Sequence, residues 1–408
     1  MADPPGLGNY LPVYQETAER DVLIERYFHL GLKYKEIILF LISVHCVEIS
    51  IRQLKRILKQ RGLVRRGNPS SANDVLEAMQ CELKGSGNVI GYRSMYQRLR
   101  NCHRLVISRE AVRQALKILD PEGVEARSRH CLKRRRYTCK GPNYIWHIDG
   151  YDKLKPFGFC IHGAIDGCTR RILWLEVGPS NNNPAIIAKY YLNFVSQHGF
   201  TTRVIRADMG TENVSVAAIQ RFFRRADDDG FAGEKSFLYG KSVSNQRIEA
   251  WWSILRRSCT DWWIKYMKDL RDRGIYDDSS SIQVECLKFC YSELIQKDQH
   301  PVAQLWNLHN IRPSSTAESP SGRPDTMYFV LEITGANDYK VAVDLDDLDV
   351  AMEMFPLERP RHGCSPLFGE LAFMLMEENE LSLPSDVEQA MALYLKLLDL
   401  INPFLLNI

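Results

Sequence analysis

The middle of the chain constrains the fold most, because hydrophobic spacing changes period there. From Tyr144 onward, three short runs, Ile145 to Tyr151, Gly158 to Ile165 and Arg171 to Val177, are separated by the turn pairs Lys155-Pro156 and Asp166-Gly167. Apolar runs of this length bounded by turn residues read as strands, and their close succession predicts a meander. A helical pattern follows from about Pro184 to His198, with Ile186, Ile187, Tyr190 and Phe194 on one side, and then a short strand from Arg203 to Ala207. Strands followed by such alternation make a mixed sheet covered by helices.

With 408 residues and 45% hydrophobic content, the chain has enough material for at least one full core and for two or three domains. No stretch reaches 18 consecutive apolar residues, and Met1 to Gln15 lack a basic segment leading into an apolar one. A soluble, unsecreted protein with no membrane partner is expected. The 11 cysteines are scattered without a CxxC pair, which fits a reducing compartment rather than a disulfide framework or zinc finger.

The net charge of +3 conceals a gradient. Residues 1–140 carry 26 Lys and Arg against 14 Asp and Glu, residues 141–330 carry 23 against 21, and residues 331–408 carry 4 against 15. A basic front end calls for a polyanionic partner, since cations that neutralise phosphates release counterions. The acidic tail is unsuited to DNA and points to protein contact or intramolecular shielding.

The front end divides into two helical units. In residues 1–68, a helix through Leu32, Ile37, Ile38 and Leu41 breaks at His45 to Glu48 and resumes after Ser50 through Ile51, Leu54, Ile57 and Leu58. The second of these helices presents Arg52, Lys55, Arg56 and Lys59 on its other side, as a recognition helix in a DNA groove does, although a solvated basic face gives the same pattern. Residues 69–120 repeat the plan: a helix with Met95 and Leu99 carries Arg93, Arg98 and Arg100, and Ser108 caps a helix with Val112, Leu116 and Leu119 on which Arg109 and Arg113 are further candidate DNA contacts. Three-helix packing alone accounts for this pattern as well as tandem helix-turn-helix domains do. Residues 121–141 read as a basic linker able to lie along phosphates, and its run Lys133, Arg134, Arg135 and Arg136 doubles as a nuclear localisation signal in a eukaryotic cell.

Three acids stand out in the region 142–326. Asp149 interrupts an apolar strand, Asp208 follows the fourth strand just before Gly210, and Glu249 lies on a helix from Asn245 to Arg257, beside the apolar stripe Ile248, Trp251, Trp252 and Leu255. The stripe fixes that helix against the sheet while the neighbouring face, with Glu249, Ser253 and Arg256, looks over the sheet edge. Three converging carboxylates suit a pair of hard divalent ions, Mg²⁺ or Mn²⁺, acting on a phosphodiester. Asn213 and Gln246 are candidate substrate-positioning amides, with helix capping or packing as the competing explanation. Asp166 reads as the organiser of the second hairpin turn, and Asp152 as a surface strand residue.

In its motifs, residues 141–325 resemble the core shared by retroviral integrases, IS3-type insertion-sequence transposases and their eukaryotic transposon relatives. The matching segments are Pro142-Asn143, Trp146 to Asp149, Asp166 to Arg171, Asp208 to Asn213, Ser242 to Trp252, Trp306 to Pro313 and Pro320 to Pro324. The resemblance implies an α/β core of RNase H-like fold, a mixed five-stranded sheet flanked by helices, preceded by all-α helix-turn-helix domains and followed by a mixed C-terminal region, 327–408. It implies metal-ligand and catalytic roles for Asp149, Asp208 and Glu249, and Arg256 falls where relatives often contact the DNA end. Double-stranded DNA and a homo-oligomer are the implied partners. Two departures stand out: 40 residues separate Asp208 from Glu249, including the acidic insert Asp227 to Gly230, and no His/Cys zinc module precedes the core. A helical insertion is expected around 262–300, apolar and acidic residues alternate from Val341 to Val350, and a last helix is expected near Ser385 to Leu400. Two functions compete, an active polynucleotidyl transferase and a domesticated DNA-binding protein that keeps the acids as relics.

Overall fold

Each apolar stripe folds against another, and the chain is built from how those stripes are paired. The computed structural model describes residues 19–63, 69–128, 137–240, 245–313, 319–357 and 359–405. The run Lys133 to Arg136 lies outside the described residues.

The first helical unit comprises α1 (Arg20–His29), α2 (Tyr34–His45) and α3 (Ile51–Gln60). Helix α2 ends where Cys46 enters the left-handed region at φ 54°, and Ser50 starts α3 through a capping box with Gln53. The unit's core of Ile24, Phe40, Leu41 and Leu54 also takes in Leu308 and Val330 from far along the chain, so the unit is docked rather than tethered. The second unit comprises α4 (Ala72–Lys84), α5 (Tyr92–Asn101) and α6 (Arg109–Leu119), the last capped by Ser108 as expected. Arg98, one of the three arginines noted on α5, is buried: it pairs with Glu82 at 2.7 Å and donates to the Ser258 carbonyl at 2.9 Å. The stretch expected to be a linker, 121–141, begins with α7 (Pro121–Ser128). Pro121 is suited to a first helical position, and the Asp120 carboxylate accepts from the Gly123 N–H at 3.1 Å.

The central sheet is assembled from β1 (Ile145–Tyr151), β2 (Cys160–Asp166), β3 (Ile172–Gly178), β5 (Val204–Ala207) and β6 (Phe237–Tyr239), in the order β3-β2-β1-β5-β6. The first three strands form an antiparallel meander, and β1, β5 and β6 run parallel, which requires the crossovers through α8 (Pro184–His198) and α9 (Val214–Phe223). This is an RNase H-like fold. Side chains alternate across the sheet: Trp146, Ile148, Trp174 and Ile205 face α8 and α9, while Tyr151, Ile161, Leu175 and Val177 face a second helical layer. That layer is α10 (Gln246–Leu255), a π-helical turn (Arg256–Thr260), α11 (Asp261–Asp272) and α12 (Ser281–Asn307), the last two covering the helical stretch expected around 262–300. Asp166 organises its hairpin as read: buried, it accepts from the backbone N–H groups of Asn143, Cys168 and Thr169 and from the Thr169 hydroxyl. Asp152 lies just past the end of β1, exposed, and accepts from Asn181 at 2.8 Å.

The acidic tail folds back on the core. Helix α13 (Pro324–Phe329) spans the boundary placed at 326/327, and its Asp325 pairs with the buried Arg171 at 3.0 Å. The expected alternation over Val341 to Val350 is a two-residue strand, β7 (Val341–Ala342), pairing with β4 (Phe200–Thr201), followed by helix α14 (Leu345–Met354). Asp344 accepts from the Asp346 N–H at 2.9 Å, and this N-cap is what converts the stretch to helix. Helices α15 (Pro366–Glu378) and α16 (Val387–Leu405) bury Phe368, Leu375, Tyr394 and Leu397 against the α12 side of the core.

Within this core His162 is buried and accepts from the Trp174 indole N–H at 3.2 Å through Nδ1, which keeps the ring neutral; burial holds its pKa down at about 3. A histidine depressed in the folded state contributes stability above its unfolded value near 6.5, lost as pH falls through the folded value. Between pH 7 and pH 5 the wild type should therefore lose more stability than His162→Asn, which keeps an acceptor for Trp174 and cannot protonate. The difference approaches about 1.4 kcal/mol per pH unit at its steepest, read by urea unfolding at each pH.

Candidate active site

Parallel pairing decides where the two aspartates sit. In the β1–β5 ladder His147 faces Arg206, so Asp149 and Asp208, each two residues further on, come level at the carboxyl ends of neighbouring strands. That end of a parallel pair is where ligands are bound in open α/β sheets. Glu249 is carried by α10, whose buried Ile248, Trp251, Trp252 and Leu255 anchor it on the sheet face that Asp149 shares with Tyr151.

The three acids feel one another. Burial pushes the Asp149 carboxyl up to about 7, and the charges of Glu249 and Asp208 push in the same direction, against a hydrogen bond from the Trp252 indole N–H to Oδ2 at 2.8 Å. Asp208 Oδ1 accepts from the Gly210 N–H at 3.3 Å and from Asn213 Nδ2 at 3.1 Å. Among the described residues no three His, Cys, Asp or Glu are gathered into a ready cage for one ion. A paired-ion site does not require such a cage, since its ions share carboxylates. The all-carboxylate donor set has the chemistry of a hard divalent cation, and the mutual repulsion at Asp149 is what a cation relieves.

Of the other sequence candidates, Asn213 is buried, and its Nδ2 donates to Asp208 Oδ1 and Glu212 Oε1. Gln246 is the half-buried first residue of α10. Arg256 lies exposed in the π-helical turn, its Nε 3.6 Å from Asp261. Arg52, Lys55, Arg56 and Lys59 are all exposed along α3. On α6 Arg109 stacks over the Tyr96 ring at 5.3 Å, and Arg113 is engaged by Glu110 at 2.8 Å. The acidic insert is internal in purpose: Asp227 and Asp229 both bind the guanidinium of the buried Arg224.

Several contributors are not apparent from the sequence. Trp252 reads there as a core residue, yet its N–H also holds Asp149. Gly163, opposite Asp149 in the β1–β2 ladder, makes room for that indole: a Cβ there would stand 2.9 Å from Trp252 Cη2. Glu212 reaches back over Gly210 beside Asp208, and burial together with that neighbour raises its carboxyl. Asn245 closes the gap between α10 and β1 by donating to the Ile148 carbonyl. The signal for it in the sequence is its place four residues before Glu249.

Residues 136–328 match the family model of the integrase core domain. Residues 136–328 are thus a core of the DDE integrase/transposase superfamily. The integrase core places it with the polynucleotidyl transferases, proteins that typically use divalent metals and act on DNA. A comparison with curated proteins gives no match. The matched segment begins in the basic stretch and ends within α13, so it includes the sheet, all three acids and the Asp325–Arg171 pair.

Because Gly163 is also 3.2 Å and 3.3 Å from Leu175 Cδ1 and the Trp174 carbonyl by the same measure, an added methyl has little room to yield. Gly163→Ala should destabilise the integrase core by about 1–3 kcal/mol, as overpacking does, measured by urea unfolding followed through tryptophan fluorescence. Unchanged stability would show that Trp252 is free to move off the strand.

Proposed function

We propose that the protein is a DNA strand transferase in which Asp149, Asp208 and Glu249 hold two divalent ions and act together on a phosphodiester. One observation carries the reading: two aspartates level at the carboxyl ends of adjoining parallel strands, with the Asp149 carboxyl pushed up by the charges of both other acids. Bound there, Mg²⁺ or Mn²⁺ would supply activation of the attacking oxygen and stabilisation of the leaving one. The chain's own contribution is to hold the carboxylates: Trp252 orients Asp149, Asn213 orients Asp208, and α10 presents Glu249. Cutting element ends and joining them to target DNA are the two halves of the proposed reaction, with water or a DNA 3′-hydroxyl as the attacking group.

The DNA itself is assigned to the basic front end. Arg52, Lys55, Arg56 and Lys59 on the exposed side of α3 form the proposed groove-facing surface, with Arg109 and Arg113 on α6, the run Lys133 to Arg136, and Arg256 in the turn after α10 as further contacts.

Asp208→Asn should abolish nicking and joining of labelled duplex DNA in Mg²⁺ or Mn²⁺ while leaving duplex binding within about twofold, since it removes a proposed metal ligand and no proposed DNA contact. Wild-type protein that binds DNA but neither nicks nor joins it with either ion would sink the proposal in favour of a domesticated DNA-binding protein. Separately, replacing Lys55 or Lys59 with Ala should weaken binding evenly across sequences and lower the slope of log affinity against log salt by about one for each phosphate left unneutralised. Slopes unchanged in both variants would remove α3 from the DNA-binding surface.

A further inference from the structure

We infer that Asn245 and His147 are positioning residues that set Glu249 against Asp149, an inference that rests on the proposed role of those acids as metal ligands. The path between the acids is short. The Glu249 backbone N–H donates to the Asn245 carbonyl at 3.2 Å, and the Asn245 Nδ2 donates to the Ile148 carbonyl at 2.8 Å. Ile148 is bonded to Asp149, so two hydrogen bonds and one amide side chain join helix to strand between the two carboxylate-bearing residues.

The rest of the arrangement keeps that amide from turning. With Nδ2 committed to Ile148, the Asn245 Oδ1 faces His147 Nδ1 at 2.7 Å and accepts from it, which assigns the imidazole hydrogen to Nδ1. His147 Nε2 then accepts from the Tyr137 hydroxyl at 2.7 Å. The Tyr137 ring lies under the Arg247 guanidinium at 3.9 Å, and Arg247 Nε donates to the Gly167 carbonyl at 2.9 Å. The relay thus begins and ends on α10, and every side-chain nitrogen and oxygen of His147 and Asn245 has a partner.

Both side chains are buried, at 0% and 1% exposure, His147 on β1 between the apolar Trp146 and Ile148 and Asn245 just ahead of α10. A fully satisfied buried polar network fixes one arrangement where apolar packing tolerates several. Helix α10 would still be held by Trp251 and Trp252 without it, but free to shift along the sheet. Displacements of an ångström at such a site cost on the order of a hundredfold in rate.

The test uses the full chain and Mn²⁺ alone, titrated by the electron paramagnetic resonance of free Mn²⁺, with thermal unfolding run in parallel. His147→Gln offers an N–H to Asn245 and an oxygen to Tyr137, so its Mn²⁺ affinity should match wild type. His147→Leu fills the space and makes neither bond, so its affinity should fall by about tenfold or more, as happens when a metal ligand is deprived of its supporting partner. Asn245→Ser, tolerated before a helix, should fall likewise if His147→Leu does not fold. Affinity equal to wild type in either folded disruptive variant overturns the inference and leaves the proposed function standing. Wild-type protein that binds no Mn²⁺ overturns the proposed function itself and the inference with it.

Discussion

The contact between α10 and β1 governs the arrangement of the acids, and its two kinds of interaction do different jobs. Burial of Trp251 and Trp252 supplies the strength: indole side chains remove enough surface from water to contribute roughly 4–6 kcal/mol apiece. Each hydrogen bond across the gap, from Trp252 to Asp149 and from Asn245 to Ile148, is worth only about 1 kcal/mol net. Packing therefore decides that the helix lies on the sheet, and the hydrogen bonds decide where. Gly163 belongs to this contact, because without its missing side chain the indole could not lie over β2 at the height of Asp149.

What the sequence disclosed follows from how local each signal is. The meander strands, α8 and the apolar stripe of α10 were all legible, because alternation and helical spacing are written within a few adjacent residues. Strand β6 has only Phe237 to Tyr239 and exists by pairing with β5, a partner some thirty residues away, so no local pattern announces it. Asn245 was marked only by its place before Glu249, and His147 was present in the quoted motifs but silent, since a buried histidine looks like any other until its two partners are known. Arg98 was silent for the same reason: the sequence shows only one more arginine, and the fold supplies Glu82 and Ser258 to take it inside. The tail's alternation of apolar and acidic residues between Val341 and Val350 named no element, and the Asp344 cap is what makes most of it helical.

The same contrast between packing and polar contacts recurs where the second helical unit meets the core. Arg98 is buried, and its guanidinium is divided between Glu82 of its own unit and the Ser258 carbonyl in the π-helical turn that follows α10. A buried ion pair of this kind gives little net stability but penalises any arrangement that leaves one member unpaired. The Trp262 indole adds a second tie by donating to the Lys84 carbonyl at 3.2 Å. Wide turns of the π type carry backbone groups that do not follow the helical ladder, and here one such carbonyl is what the arginine grips. The unit is thereby fixed to the backbone only a few residues beyond Glu249. A shift of that unit bears on the π-helical turn, which is continuous with the helix that carries Glu249. The helical front end and the carboxylates are thus mechanically adjacent although some 150 residues separate Arg98 from Glu249 in the chain.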